Sequence, residues 1–291
     1  MHMKKLKGLM SVVSVVWAFF LLIAFTFTWV ARNWTPSFEQ NEIQISTAGA
    51  LVISLTGDDN HDVVSLNEVV QLDSFVFKQV SSQDGETFFW KDFTPTLNDE
   101  PAVYKKVTDL QKENYIDTEF ALKLDDSLTE PKYIFIHPDS ILSSENIGIS
   151  SDVAKAIRIS LQYEDIDENG QPVKYSYILG NTEDKDEPDY STSAVLPDAD
   201  GKNDKDETAT NQQKVYNLRY FNAGWDNYTN GQTDHNFTVE PSRTLFKLNP
   251  GGIRWIKMRI WLEGADENCV NEIAGQSFDM VLKFDSISVS Q

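Results

Sequence analysis

The chain has 291 residues, with 25 Lys and Arg against 45 Asp and Glu, and a net charge of −20 at pH 7. No basic stripe is present to neutralise phosphates, which argues against nucleic acid as a partner. The single cysteine, Cys269, excludes an internal disulfide and a multi-thiolate metal site.

Lys4, Lys5 and Lys7 precede an uncharged run over residues 8–31, which Arg32 closes. As a helix these 24 residues reach about 36 Å, enough to cross a hydrocarbon core of roughly 30 Å. The run carries Val16, Trp17, Phe19, Phe20, Leu22, Ile23, Phe27 and Trp29. The lysines favour a cytoplasmic N-terminus, which sends the remaining chain outward. A cleavable signal peptide is the rival reading. A cut after Ala31 places Trp29 third before it, and a cut after Ala24 places Leu22 there. Both side chains are too large for that position, so a retained helix fits better.

From residue 35 the chain reads as strands. Ile43 and Ile45, then Leu51, Ile53 and Leu55, predict an early pair of strands around Thr47, Ala48 and Gly49. Residues 102–112 carry the one hint of helical spacing outside the N-terminal run. Phe120, Leu122 and Leu124 alternate with polar or small neighbours, and Ile134 and Ile136 follow. Ile157, Ile159, Leu161 and Tyr163 predict a half-buried strand. Ile256, Met258, Ile260 and Leu262 alternate with Trp255, Lys257, Arg259 and Trp261. Phe278, Met280, Leu282 and Phe284 close the series. The expected architecture is mainly β, an antiparallel, jelly-roll-like β-sandwich over residues 35–291 behind a long hydrophobic helix within residues 1–34. Residues 181–213 are acidic and almost free of large apolar side chains, so they read as an exposed insertion between strands.

The succession FTFTWVARNW, EIQISTAGALVISL, YIDTEFALKL, AKAIRISLQY, IRWIKMRIWLEGADENC and SFDMVLKF resembles exported Firmicutes proteins related to the TasA/camelysin family, whose members form extracellular biofilm fibres. IWLEGADENC is the most specific piece. The resemblance implies a jelly-roll-like sandwich that assembles by giving an N-terminal strand to the neighbouring subunit, with Ile43 and Ile45 on the candidate donor strand.

Several motifs are candidates for chemistry. Asp165, Asp167, Asn169 and Gly170 have the spacing that opens an EF-hand loop, and they make a weak calcium candidate. Position twelve is Ser176 instead of glutamate, and strand sequences flank the loop, so a hairpin turn at the Asn-Gly step explains the same residues. The clusters of Asp58, Asp59 and Asp62 and of Asp198 to Asp206 read as solvated acidic loops. Glu263, Asp266 and Glu267 lie close to Cys269, but His2, His61, His137 and His235 form no recognisable constellation with that thiol. The reading is an acidic turn after a core strand, with Cys269 a small buried residue, and not an enzyme. Trp225, Tyr228 and Phe237 stand in an Asn-rich stretch. They suit either a loop pinned to the sandwich or a carbohydrate site.

The expected function is a structural subunit of a cell-surface filament or fibre in a prokaryote. Its partners are further copies of itself and, before assembly, the membrane; no cofactor is expected apart from calcium. Contacts would be made by the apolar run or by strand addition from residues 37–47. In a pilin-like variant the whole helix is buried in the filament core. Lys5, Leu6, Lys7 and Gly8 outline a class III prepilin signal, although the fifth mature position is Val13 and not glutamate. The alternative is a membrane-anchored monomeric adhesin or carbohydrate-binding module with its site at Trp225 to Phe237.

Overall fold

The computed structural model describes residues 43–67, 77–92, 103–108, 114–144, 153–167, 169–182, 189–190, 213–219, 221, 244–266, 268–269 and 276–288. They are mainly β. The strands, in chain order, are β1 (Ile43–Thr47), β2 (Leu51–Ser54), β3 (Val63–Ser65), β4 (Gln79–Val80), β5 (Phe89–Asp92), β6 (Val103–Lys106), β7 (Ile116–Leu124), β8 (Lys132–Ile136) and β9 (Ile141–Ser144). A single helical turn, α1 (Val153–Ala156), leads into β10 (Ile157–Ile166). Then come β11 (Pro172–Gly180), β12 (Asp189–Tyr190), β13 (Lys214–Asn217), β14 (Phe246–Leu248), β15 (Ile253–Glu263) and β16 (Phe278–Ser288).

One sheet runs β14-β8-β16-β1-β3, with β9 also on β16. A larger one runs β12-β13-β11-β10-β15-β7-β2, with β4 on the end of β15. Strict alternation of apolar residues places one face of each sheet inward. On the smaller sheet these are Ile43, Ile45, Ile134, Ile136, Phe278, Met280, Leu282 and Phe284. They share one buried cluster with Phe120, Leu122, Ile159, Leu161, Ile256, Met258 and Ile260 of the larger sheet. Phe120 meets Phe284 across the layers at 5.8 Å, and Tyr163 meets Phe246 edge-on at 4.9 Å. Full burial of each such side chain contributes about 1.5–3 kcal/mol.

The sheets are mixed, where the alternation predicts an antiparallel sandwich. β1 lies parallel to β16, β11 to β13 and β4 to β15. Alternation reports which face is buried and carries no information on strand direction. Neither is the early strand pair a hairpin. Both edges of β1 are occupied, by β16 and β3, so β2 crosses to the other sheet and pairs with β7. Within residues 102–112, the helical hint gives way to β6, which pairs with β5 as a two-stranded ribbon; an isolated helix so short is marginal in water, and cross-strand pairing decides. Among the described residues no helix is long and apolar enough to cross a membrane. The apolar run and its residues Val16, Trp17, Phe19, Phe20, Leu22, Ile23, Phe27 and Trp29 lie outside the described residues.

Candidate functional site

The outward face of the larger sheet carries a groove beside a covering loop. On β15 the outward residues are Trp255, Lys257, Arg259 and Trp261. Lys257 stands opposite Glu119 of β7 and Gln162 of β10, Arg259 opposite Asp117 and Ser160, and Trp261 opposite Arg158. Residues 77–92 fold over the Trp261 end of this face. There Phe88 packs edge-on against the Trp261 ring at 5.3 Å and stacks on Tyr115 at 4.0 Å, forming a second apolar cluster with Val80, Ile178 and Val215. The two tryptophans therefore have opposite fates: Trp261 is 0% exposed and Trp255 39%.

The covering loop is clamped to the sheet. Asp84 accepts hydrogen bonds from the backbone N–H groups of Glu86 and Thr87, both at 2.7 Å. Ser160 donates to the Gly85 carbonyl at 3.2 Å and Ser176 to the Asp84 carbonyl at 3.0 Å. Arg259 donates to the Gly85 carbonyl and to Gln162, both at 2.9 Å. Where the loop ends, an open groove of about 730 Å³ begins, with Glu86 and Thr87 on its rim, Glu119, Gln162, Lys257 and Arg259 on its floor, and Trp255 beside them. Its volume lies within the range of ordinary ligand clefts. Its cations are paired: Lys174 with Glu86, Lys257 and Arg259 each 3.5 Å from Asp117, and Arg254 with Asp165 at 2.7 Å. Tyr163 also borders the groove, but its hydroxyl donates to the Leu245 carbonyl at 2.5 Å and burial pushes its pKa far up, so it stays neutral.

No family model matches the chain, and no curated protein or solved structure does either.

The acidic turn after β15 is a buried polar network. Glu263 Oε2 accepts hydrogen bonds from the Trp261 indole and from Gln213, both at 2.9 Å, and from the Ser82 N–H at 3.3 Å; Oε1 accepts from the Ala265 N–H at 3.1 Å. Gln213 in turn accepts from Arg158 at 3.1 Å, and Arg158 pairs with Asp266. The network ties β10, β15, the start of β13 and the covering loop together. Burial, aided by Glu263 and Asp266, pushes the Cys269 thiol up to about 12, which leaves it protonated and a poor nucleophile at neutral pH. Glu267 lies outside the described residues.

Asp165, Asp167 and Asn169 lie at the β10–β11 hairpin. Asp167 accepts the N–H groups of Asn169 at 2.9 Å and Gln171 at 2.8 Å, which holds its carboxyl below the usual range, and Asp165 is engaged by Arg254. Among the described residues no three His, Cys, Asp or Glu side chains group to hold a metal. Asp59 of the earlier acidic cluster caps a turn, accepting from Ser54 at 2.6 Å and Thr56 at 2.7 Å. Ile43 and Ile45 are fully buried in β1. Trp225, Tyr228 and Phe237 lie outside the described residues. Sequence reasoning missed the groove. Its one signal is Trp255, an aromatic on the outward side of an alternating strand.

Proposed function

We propose that the chain is a non-enzymatic structural subunit of an extracellular filament or surface fibre of a prokaryotic cell. It begins in the membrane through the apolar run and polymerises with copies of itself. A jelly-roll-like sandwich with the helix ahead of it, related to the TasA/camelysin fibre proteins, is the architecture this reading carries.

The supporting observation is the setting of β1. It is the first described strand, yet it sits inside a sheet, hydrogen-bonded in parallel to the last strand along Ile43↔Met280 through Thr47↔Phe284 and antiparallel to β3 on its other side. Its two isoleucines are fully buried in the core. A strand so near the N-terminus, parallel to a neighbour that no short connection ties to it, can be supplied by its own chain or by an adjacent copy with the same pairing. Opening the corner at Thr47, Ala48 and Gly49 would be the only rearrangement between the two.

The test is a cross-link. In a Cys269→Ser background, Gln44→Cys and Val281→Cys place thiols at partnered positions on β1 and β16. Oxidising sheared cell-surface filaments is expected to give a ladder of covalent multimers. Filaments that yield only cross-linked monomers would refute strand donation. Failure to find any polymer, with monomer retained in membranes, would refute the filament reading and favour an anchored monomeric adhesin.

A further inference from the structure

We propose that the groove beside Trp255 is a binding site for a neutral oligosaccharide, with one pyranose face stacked on the indole. The inference goes beyond polymer formation and holds for a monomer or a subunit alike.

Three features select this ligand class. The first is the platform: Trp255 is 39% exposed on a central strand, next to a concave surface, and its indole N–H has no hydrogen-bond partner among the described residues. An aromatic face offers apolar area and its N–H a polar handle, the pairing that a sugar ring with its axial C–H face and hydroxyl rim uses. The second is charge. Glu86, Glu119 and Glu164 line the groove with Lys174, Arg254, Lys257 and Arg259, and Asp117 and Asp165 stand beside the cations. Such a balanced lining gives little field to attract an anion or a cation, and the net charge of −20 repels anions from the molecule. The third is the mixture of donors and acceptors. The exposed carboxylates of Glu119 and Glu164 make no hydrogen bond or ion pair among the described residues, while Lys257 reaches only Asp117, at 3.5 Å. A ligand rich in hydroxyls both donates and accepts, so it satisfies both kinds.

A peptide strand is disfavoured by position. Over Lys257–Ile260, the centre of the floor, β15 is paired to β7 on one edge and to β10 on the other, so its backbone there offers a bound peptide no ladder to extend. From Trp255 to Arg259 the floor runs about 13 Å along β15, which suits a short oligosaccharide in preference to a monosaccharide. The floor is built of long strands and the wall is clamped by Asp84, Ser160 and Arg259, so little ordering is required on binding.

The experiment titrates the full-length protein, held in a zwitterionic detergent without a sugar headgroup, with tetrasaccharides of β-1,4-glucose, β-1,4-N-acetylglucosamine and α-1,6-mannose. Tryptophan fluorescence and calorimetry report binding. Saturable binding of at least one is expected, weakened about tenfold or more by Trp255→Ala and largely kept by Trp255→Phe, with an unchanged circular dichroism spectrum. Trp225→Ala is expected to bind as the native chain. No saturable binding of any of the three at millimolar concentration overturns the proposal, as does native-like binding by Trp255→Ala or loss of binding through Trp225→Ala alone. Filament formation is scored separately on the same variants, so a failed polymer and a failed sugar site are distinguished.

Discussion

Three donors converge on one oxygen of Glu263: the Trp261 indole, the Gln213 amide and the Ser82 backbone N–H. The residue is 1% exposed, so no water can replace the carboxylate from the surface. Removing it leaves the Trp261 indole and the Ser82 N–H buried and unpaired, with the Gln213 amide keeping only the Ser82 carbonyl as acceptor. Glu263→Ala is therefore expected to lower the unfolding free energy by about 3 kcal/mol, measured by urea denaturation. Glu263→Gln keeps the shape and one acceptor oxygen but turns an amide N–H₂ toward the same donors, so it should fall between the two. A loss below about 1 kcal/mol for the alanine variant would show that the β4–β15 pairing, the hydrogen bonds of Ser160, Ser176 and Arg259 and the Phe88–Trp261 contact hold the loop without it. Its position in the sequence, an acidic residue ending an apolar strand, looks like an ordinary exposed turn. What makes it internal is Gln213, fifty positions away, and a loop from near residue 82. Arg158 has the same history: it occupies an outward position of β10 and is 4% exposed because other segments cover it.

Two glycines separate the effects of backbone and space at the level of elements. Gly170, in the β10–β11 hairpin, and Gly85, in the covering loop, have φ of 75° and 70°. Around Gly170 an added Cβ would meet nothing within 4 Å, whereas at Gly85 it would lie 2.5 Å from the Ser160 Cβ. Gly170→Ala thus carries only the left-handed penalty, about 1 kcal/mol. Gly85→Ala adds a clash with a central strand and must lift the loop, so its cost should exceed that of Gly170→Ala by about 2 kcal/mol or more. Thermal and urea unfolding of the two variants, side by side, decide this; equal losses would mean the loop yields without resistance. The hairpin was readable in advance because Asn169 and Gly170 are a local signal between two alternating runs. So were β7, β8, β10, β15 and β16, where Phe278, Met280, Leu282 and Phe284 mark a buried face by spacing alone. The loop was not, since Phe77, Phe88 and Phe89 follow no period: Phe77 enters the main core beside Phe278, while Phe88 buries against the outward face of the larger sheet. The distinction between Trp255 and Trp261 was equally hidden: they share one side of one strand, and only the tertiary cover separates groove from core.

Across the whole molecule the dominant quantity is the charge of −20, with a sequence pI of about 4.5. Copies that approach one another at neutral pH repel, and at physiological salt that repulsion acts over about 8 Å. Lowering the pH toward 4.5 removes the repulsion. The fold should survive this change. Hydrogen bonds from Ser54 and Thr56 hold the Asp59 carboxyl far below the usual range, and backbone N–H groups of Ser127 and Gln171 lower Asp125 and Asp167. Their folded values lie below the unfolded ones, so the stability they contribute is present above the ordinary carboxylate range and is lost only as the pH falls through the depressed values. At pH 4.5, above both the ordinary and the depressed values of these groups, the net charge vanishes while the turns stay ionised and closed. The expected result is association of the protein near pH 4.5, seen as a rise in light scattering with an unchanged far-ultraviolet circular dichroism spectrum, and its reversal on return to pH 7. Scattering that rises together with loss of β signal would assign the association to acid unfolding. Protein that remains dispersed at pH 4.5 would show that something other than net charge keeps the copies apart.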